Sequence, residues 1–215
     1  MHLVVFDIDG TLVDSAKFEA ALYVRAVKTV LGIIIDDNWG RYRNVTDGGI
    51  LDQVIEENDV DGDRGAIHQR VKDEFVSLTK CHLNRYPDAL KEIVGAKALI
   101  EQLKSKESVI LAIATGGWEE TARLKLRGVG IDLDQIAIAT GSDAVNRVAI
   151  IQTAEARALG GAIARKKTYF GDGVWDKHAS QELNYDFIAI GDSVEHYVKF
   201  RDLSAHEAIF KQLGA

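Results

Sequence analysis

The sequence predicts an α/β protein, a parallel sheet covered by helices on both faces, with a helical segment inserted after the first strand. Two observations carry this. Short apolar runs alternate with stretches of helical periodicity, the pattern that builds parallel sheets. That alternation stops between residue 15 and about residue 90, where only helical stripes are found. The chain has 215 residues, 47% of them hydrophobic. That allows one domain, or one with a sizeable insert, and a core that needs no staples.

The elements follow in order. Residues 3–6 form the first apolar run and the first strand. In the insert, Ala20, Val24, Val27 and Leu31 make one helical stripe, and Ile67, Val71, Phe75 and Leu78 another. The run Gly32-Ile-Ile-Ile35 is too short for a strand. Pro87, the only proline, falls where a linker back to the sheet is expected. Leu99, Ile100 and Leu103 mark a helix before the second strand at 109–114. Residues 118–127 form the next helix, closed by Gly128-Val-Gly130, and 136–139 the third strand. Val148, Ile151, Ala154 and Ala158 recur at helical spacing until Gly160-Gly161 stops them. Residues 168–170 and 187–190 are the fourth and fifth strands. The expected division is a core of residues 1–14 and 91–215 with a helical unit at 15–90.

Composition narrows the function classes. The net charge is −7, and the pI about 5.4. An acidic chain repels a nucleic-acid backbone unless it carries a basic patch. The densest basic cluster is only Arg165-Lys166-Lys167. Cys81 is the sole cysteine, so neither an internal disulfide nor a cysteine zinc site is expected. The six histidines show no metal spacing. No basic start with an apolar stretch marks a signal peptide, and no run reaches the ~18 apolar residues of a membrane span. The expectation is a cytoplasmic protein with no nucleic-acid or membrane partner.

The polar groups cluster just after strands, where open parallel sheets bind ligands. Asp7-Ile-Asp9-Gly10-Thr11 follows the first strand, Thr115-Gly116-Gly117 the second, and Gly171-Asp172-Gly173-Val174-Trp175-Asp176 the fourth. Glycines let backbone N–H groups approach a ligand. Carboxylates repel a phosphate, but Mg2+ prefers oxygen ligands and bridges the two. Asp7 is then a candidate nucleophile forming an aspartyl-phosphate. Asp9 is a candidate general acid and then general base. Thr115 and the neighbouring N–H groups, Gly116 included, can hold phosphoryl oxygens. Arg147, opening the helix before the fourth strand, is the candidate cation for the transferring group.

At these residues the chain resembles a known family. Asp7-Ile-Asp9-Gly10-Thr11-Leu12-Val13-Asp14-Ser15 is similar to the first motif of the haloacid dehalogenase (HAD) superfamily. Thr115 after Ala-Ile-Ala resembles the second, and Gly171-Asp172 with Asp176 four residues on the fourth. The motifs keep the family's order and the resemblance covers the whole chain. The insert resembles the helical C1 cap of phosphoglycolate phosphatase-like and β-phosphoglucomutase-like members. The resemblance implies a Rossmann-like core with strand order 5-4-1-2-3. It implies Asp7 as nucleophile, Asp9 as acid/base, and Mg2+ held by Asp7, the Asp9 carbonyl and Asp172. Gly10, Thr11 and Asp176 would support them. The third motif usually carries Lys; Arg147 fills its place, with Lys166 the fallback. A second Gly-Asp, at Asp192, follows the fifth strand, but spacing from Arg147 and the Asp at plus four favour Asp172.

In the insert, Arg41, Arg43, Asn44, Thr46 and Asp47 precede Gly48-Gly49 and resemble the cap's specificity loop in position. Tyr23 and Lys17 are weaker candidates. Trp118 and Trp175 border the motifs and read as packing or loop cover. The expected function is a Mg2+-dependent phosphatase of a small phosphorylated metabolite. A sugar-phosphate mutase is the alternative, which the core residues do not separate. A non-catalytic phosphate-binding protein on this fold ranks below both, as does a receiver-like domain. A dehalogenase needs no Mg2+, so Asp9 and Asp172 argue against it. Monomer and homodimer both fit.

Overall fold

The computed structural model describes residues 1–214, apart from the side chains at 16 and 17. In chain order the elements are β1 (His2–Phe6), β2 (Val13–Asp14), α1 (Ala16–Leu31), α2 (Asp47–Glu57), α3 (Arg64–Arg85) and β3 (Lys91–Glu92). Then come α4 (Ala96–Lys104), β4 (Val109–Ala114), α5 (Glu119–Gly128), β5 (Ala137–Ala139), α6 (Arg147–Leu159) and β6 (Lys166–Gly171). The chain ends with α7 (Val174–Glu182), β7 (Asp186–Ile190), β8 (Lys199–Phe200) and α8 (His206–Leu213).

The main sheet has the order β5-β4-β1-β6-β7-β8, and every pairing in it is parallel. Counting only the five strands expected from the sequence, this is 5-4-1-2-3. β8 is an added edge of two residues, too short to stand out as an apolar run. All five residues of β1 are buried, as a central parallel strand covered on both faces requires. Val4 and Phe6 point into one core with Leu99, Leu103, Ile113 and Ile209. Leu3 and Val5 point into the other with Ile150, Ile151, Tyr169 and Phe187.

The helical insert has its own apolar cluster of Leu22, Tyr23, Leu51, Val71 and Phe75, joined by Trp118 from the sheet side. On α3 the expected stripe is buried at Ile67, Val71 and Phe75. On α1 the buried side is rotated from the expected one. Phe18, Leu22, Tyr23, Ala26 and Val27 are buried, while Ala20, Val24 and Leu31 are half-buried. The aromatic side chains of Phe18 and Tyr23 cover the most apolar area and set which side of the helix turns inward. Residues 33–35 form no strand.

Both passages between sheet and insert run through one short ribbon. β2 and β3 pair antiparallel, Val13 with Glu92 and Asp14 with Lys91. Gly32 ends α1 with φ +75°, a left-handed conformation that glycine adopts without strain. Among the described residues, no helix is long and apolar enough to cross a membrane.

Candidate active site

The carboxyl ends of β1, β4 and β6 lie side by side, because β1 is the sheet's centre and the other two flank it. The loops that follow them therefore meet. Asp7, Asp172 and Asp176 each bring a carboxylate oxygen within 4.8 Å of the others. Gly10 makes this approach possible. Its φ is +77°, and a Cβ there would lie 2.0 Å from Asp172 Oδ2. Two buried carboxylates and the half-buried Asp172 repel one another, and burial, then the charge of Asp176, raises Asp7 well above the usual carboxylate range. Burial and Asp176 likewise push Asp172 up to about 8. A hard divalent cation suits this all-oxygen donor set and relieves its repulsion.

Arg147 stands against the same carboxylates. Its Nη1 donates to Asp7 Oδ1 at 3.0 Å, and its Nε lies 3.4 Å from Asp176 Oδ1. Nη2 donates to the Val45 carbonyl at 3.3 Å, from the insert. Asn146 caps α6 by accepting the Ala149 N–H, so Arg147 projects from the helix's first position. Burial opposes its charge, but Asp176 and Asp7 raise its basicity further. Nε, among the described residues, is buried without a hydrogen-bond partner, as is Thr11 Oγ1. Lys166 is at the opposite end of β6, donating to the Leu213 carbonyl at 2.9 Å. Asp192 is exposed and pairs with Lys199 at 3.3 Å.

Asp176 is fully buried. It accepts the Gly173 N–H at 3.0 Å and the Tyr169 hydroxyl at 3.3 Å. Thr115 is buried, and its Oγ1 accepts the Gly117 N–H at 3.2 Å. A Cβ on Gly116 would meet the Val45 carbonyl at 2.8 Å and Arg147 Nη2 at 2.9 Å, so this position accepts only glycine without a shift.

Asp9 lines the same cavity but stands outside the three-carboxylate cluster. Lys125 Nζ donates to both its oxygens, at 2.5 and 2.7 Å, and Ser15 Oγ to Oδ1 at 2.5 Å. The same Nζ reaches Glu19 Oε1 on α1 at 2.5 Å. Burial works against ionisation of Asp9, but Lys125 and these hydrogen bonds hold its carboxyl below the ordinary range. Burial and the neighbouring Asp9 push Glu19 up to about 8.

Lys125 and Glu19 were not among the residues expected from the sequence. A lysine two residues before Arg127 reads as solvated charge. The helical face offers the missing signal: Thr121, Ala122, Lys125 and Leu126 are the buried positions of α5, spaced as one side of a helix.

The insert's loop divides. Asp47 opens α2, with its N–H on the Gly116 carbonyl at 2.9 Å and its Oδ2 on the Trp118 N–H at 2.8 Å. Thr46 caps α2 through the Gly49 N–H at 3.0 Å and donates to the Val145 carbonyl at 2.6 Å. Both line the cavity at the site. Arg43 turns outward to Glu56, and Arg41 to Glu57 at 3.0 Å. Arg43 and Asn44 line a neighbouring surface cleft instead. Tyr23 lines the cavity and donates its hydroxyl to the Asp47 carbonyl at 2.5 Å. The Lys17 side chain lies outside the described residues. Trp175 lines the cavity, and Trp118 is buried beside it. The cavity measures about 210 Å³ and runs from Asp7 and Asp172 to Tyr23, Trp39 and Ile50 of the insert.

A model of the haloacid dehalogenase-like hydrolases matches residues 4–190. Among solved structures, a hydrolase from Pseudomonas syringae superposes with a TM-score of 0.76 at 20% identity, over 99% of each chain. A β-phosphoglucomutase from Clostridium difficile gives 0.74 at 16% identity, over 99% of this chain and 96% of that one. CbbY from Rhodobacter sphaeroides, solved with phosphate, gives 0.70 at 16% identity, over 94% and 95%. No curated protein matches the chain significantly.

Proposed function

The chain belongs to the haloacid dehalogenase-like hydrolases, and from that premise we propose that it is a Mg2+-dependent phosphatase of a small phosphomonoester, working through an aspartyl-phosphate on Asp7. The observation that carries this is the meeting of Asp7, Asp172 and Asp176 with a buried arginine 3.0 Å from Asp7. Phosphate bound in a structural neighbour is in keeping with it.

Asp7 and Asp172, with the Asp9 carbonyl, would hold Mg2+, and Asp176 supports them. The bound ion supplies charge neutralisation between carboxylates and phosphate. Asp7 attacks phosphorus, which needs its Arg147 partner to release it and turn to a phosphoryl oxygen. Thr115 Oγ1 and the Gly116 N–H take further phosphoryl oxygens. Asp9, held as the carboxylate by Lys125 here, must loosen from that lysine and take up a proton before it can protonate the leaving oxygen. The carboxylate so regenerated then draws a proton from the water that hydrolyses the aspartyl-phosphate. Lys125 and Ser15 keep its carboxylate in one orientation between these events. The insert covers the cavity and supplies the leaving group's surroundings.

The test is phosphate release from a panel of small monoesters, with Mg2+ and with chelator, for wild type and Asp7→Asn. We expect chelator to stop turnover and Asp7→Asn to lower kcat by about a thousandfold or more. Turnover that survives both would overturn the reading. A sugar-phosphate mutase is the second reading, favoured by the β-phosphoglucomutase likeness. It predicts isomerised sugar phosphate in place of released phosphate.

A further inference from the structure

Asp7, Asp172, Asp176 and Arg147 account for the phosphate end of the cavity. The wall facing them has no part in that chemistry. Tyr23 and Trp39 of the insert and Trp175 after β6 give it an aromatic lining, and Glu19 and Asp47 add two carboxyls. Among the described residues, Arg147 is the only cation lining the cavity, and Asp7 and Asp176 engage it. Lys125 is 1% exposed behind Asp9 and Glu19 and is bound to both, so it is not free to receive a ligand. Asp47 engages Trp118 through Oδ2.

Resting on the phosphatase reading, we propose that the substrate is the phosphomonoester of an amino alcohol, its ammonium group lodged against Tyr23, Trp39 and Trp175 and facing Glu19 and Asp47. Aromatic faces attract an ammonium, the more so when it is desolvated. Acidic groups on a partly open cavity wall attract it more strongly than they would in bulk water. Among the described residues the same wall offers no cation to a leaving group that carries a carboxylate or a second phosphate. Arg41 and Arg43, the arginines between Trp39 and Asp47, are engaged by Glu57 and Glu56 on α2. Burial pushes Asp47 up to about 7; a bound ammonium draws it back to the ionised form. A cavity of about 210 Å³ admits the phosphoryl group and only a short chain beyond it.

The experiment compares kcat/KM of the Mg2+-loaded protein for O-phosphoethanolamine and phosphocholine with that for glycerol 3-phosphate and 2-phosphoglycolate. We expect an ammonium ester to exceed 2-phosphoglycolate by about tenfold or more, with the neutral ester between. Asp47→Asn should shrink the ratio of ammonium to neutral ester several-fold, chiefly through KM, whatever it does to overall rate. Turnover of 2-phosphoglycolate equal to or above both ammonium esters overturns this inference and leaves the phosphatase reading standing. A ratio unmoved by Asp47→Asn overturns the role of the acidic wall. No turnover of any ester overturns both readings together.

Discussion

Lys125 holds its charge in the interior, with Asp9 on one side and Glu19 on the other. A buried charge is tolerated when paired, and removing its partner leaves the remaining charges exposed to each other at low dielectric. Lys125→Met would leave the Asp9 carboxylate without its cation, beside Glu19. We expect that variant to lose about 3–5 kcal/mol of stability, read by urea denaturation near neutral pH. Adding Glu19→Gln should change the loss little near pH 7, where Glu19, raised to about 8, is already mostly protonated. A loss below about 1 kcal/mol would mean that water reaches the pair and the ion triad does little for the fold. The phosphate-end carboxylates were legible in the sequence because each follows an apolar strand, where chain position alone fixes their meeting place. Lys125 was not, because its role depends on which face of α5 turns inward. Arg43 is the opposite case: its loop is beside the cavity, but Glu56 on the next helix competes for its guanidinium.

The strands were legible as elements because parallel central strands are apolar on both faces. The rotation of α1 was not, since four apolar residues at helical spacing do not say where Phe18 and Tyr23 will pack. β1 carries one polar exception at its start. His2 is buried and shares a 2.9 Å hydrogen bond with Thr168 of the neighbouring β6. Burial first, and then the charge of Lys166, lower its pKa from 6.5 to about 4. Between those values the unfolded chain binds a proton that the folded chain refuses. Stability therefore falls as pH drops from 6.5 towards 4, by about 2 kcal/mol for this group. His2→Gln keeps a polar group near Thr168 and does not titrate, so its stability curve should be flatter across that window. Parallel curves for the two proteins would show that His2 is already hydrated in the native strand.

Across the whole molecule, several contacts between the sheet and the insert meet at the site. Asp47 reaches Gly116 and Trp118, Arg147 reaches Val45, and Lys125 reaches Glu19. Whatever stabilises the site thus stabilises both units at once. Without a cation, Asp172 has a folded pKa of about 8, raised by burial and then Asp176, and Asp7 is raised in the same direction. A carboxyl raised in the folded state contributes stability below its unfolded pKa and loses it as pH climbs through the folded value. The metal-free protein should therefore weaken between pH 6 and 8.5, by about 2 kcal/mol after allowance for partial solvation. Mg2+ binds the ionised carboxylates and so competes with their protons. At a hundredfold excess over its Kd it adds about 2.7 kcal/mol, and its affinity grows as the protons leave. Thermal denaturation in chelator and in a fixed Mg2+ concentration, at pH 6 and pH 8.5, measures this directly. For a chain of this size each kcal/mol is worth about 2–4 °C in Tm. We expect the Mg2+ increment to be larger at pH 8.5. Equal increments would mean that the cluster is ionised throughout, with Arg147 alone balancing its charge.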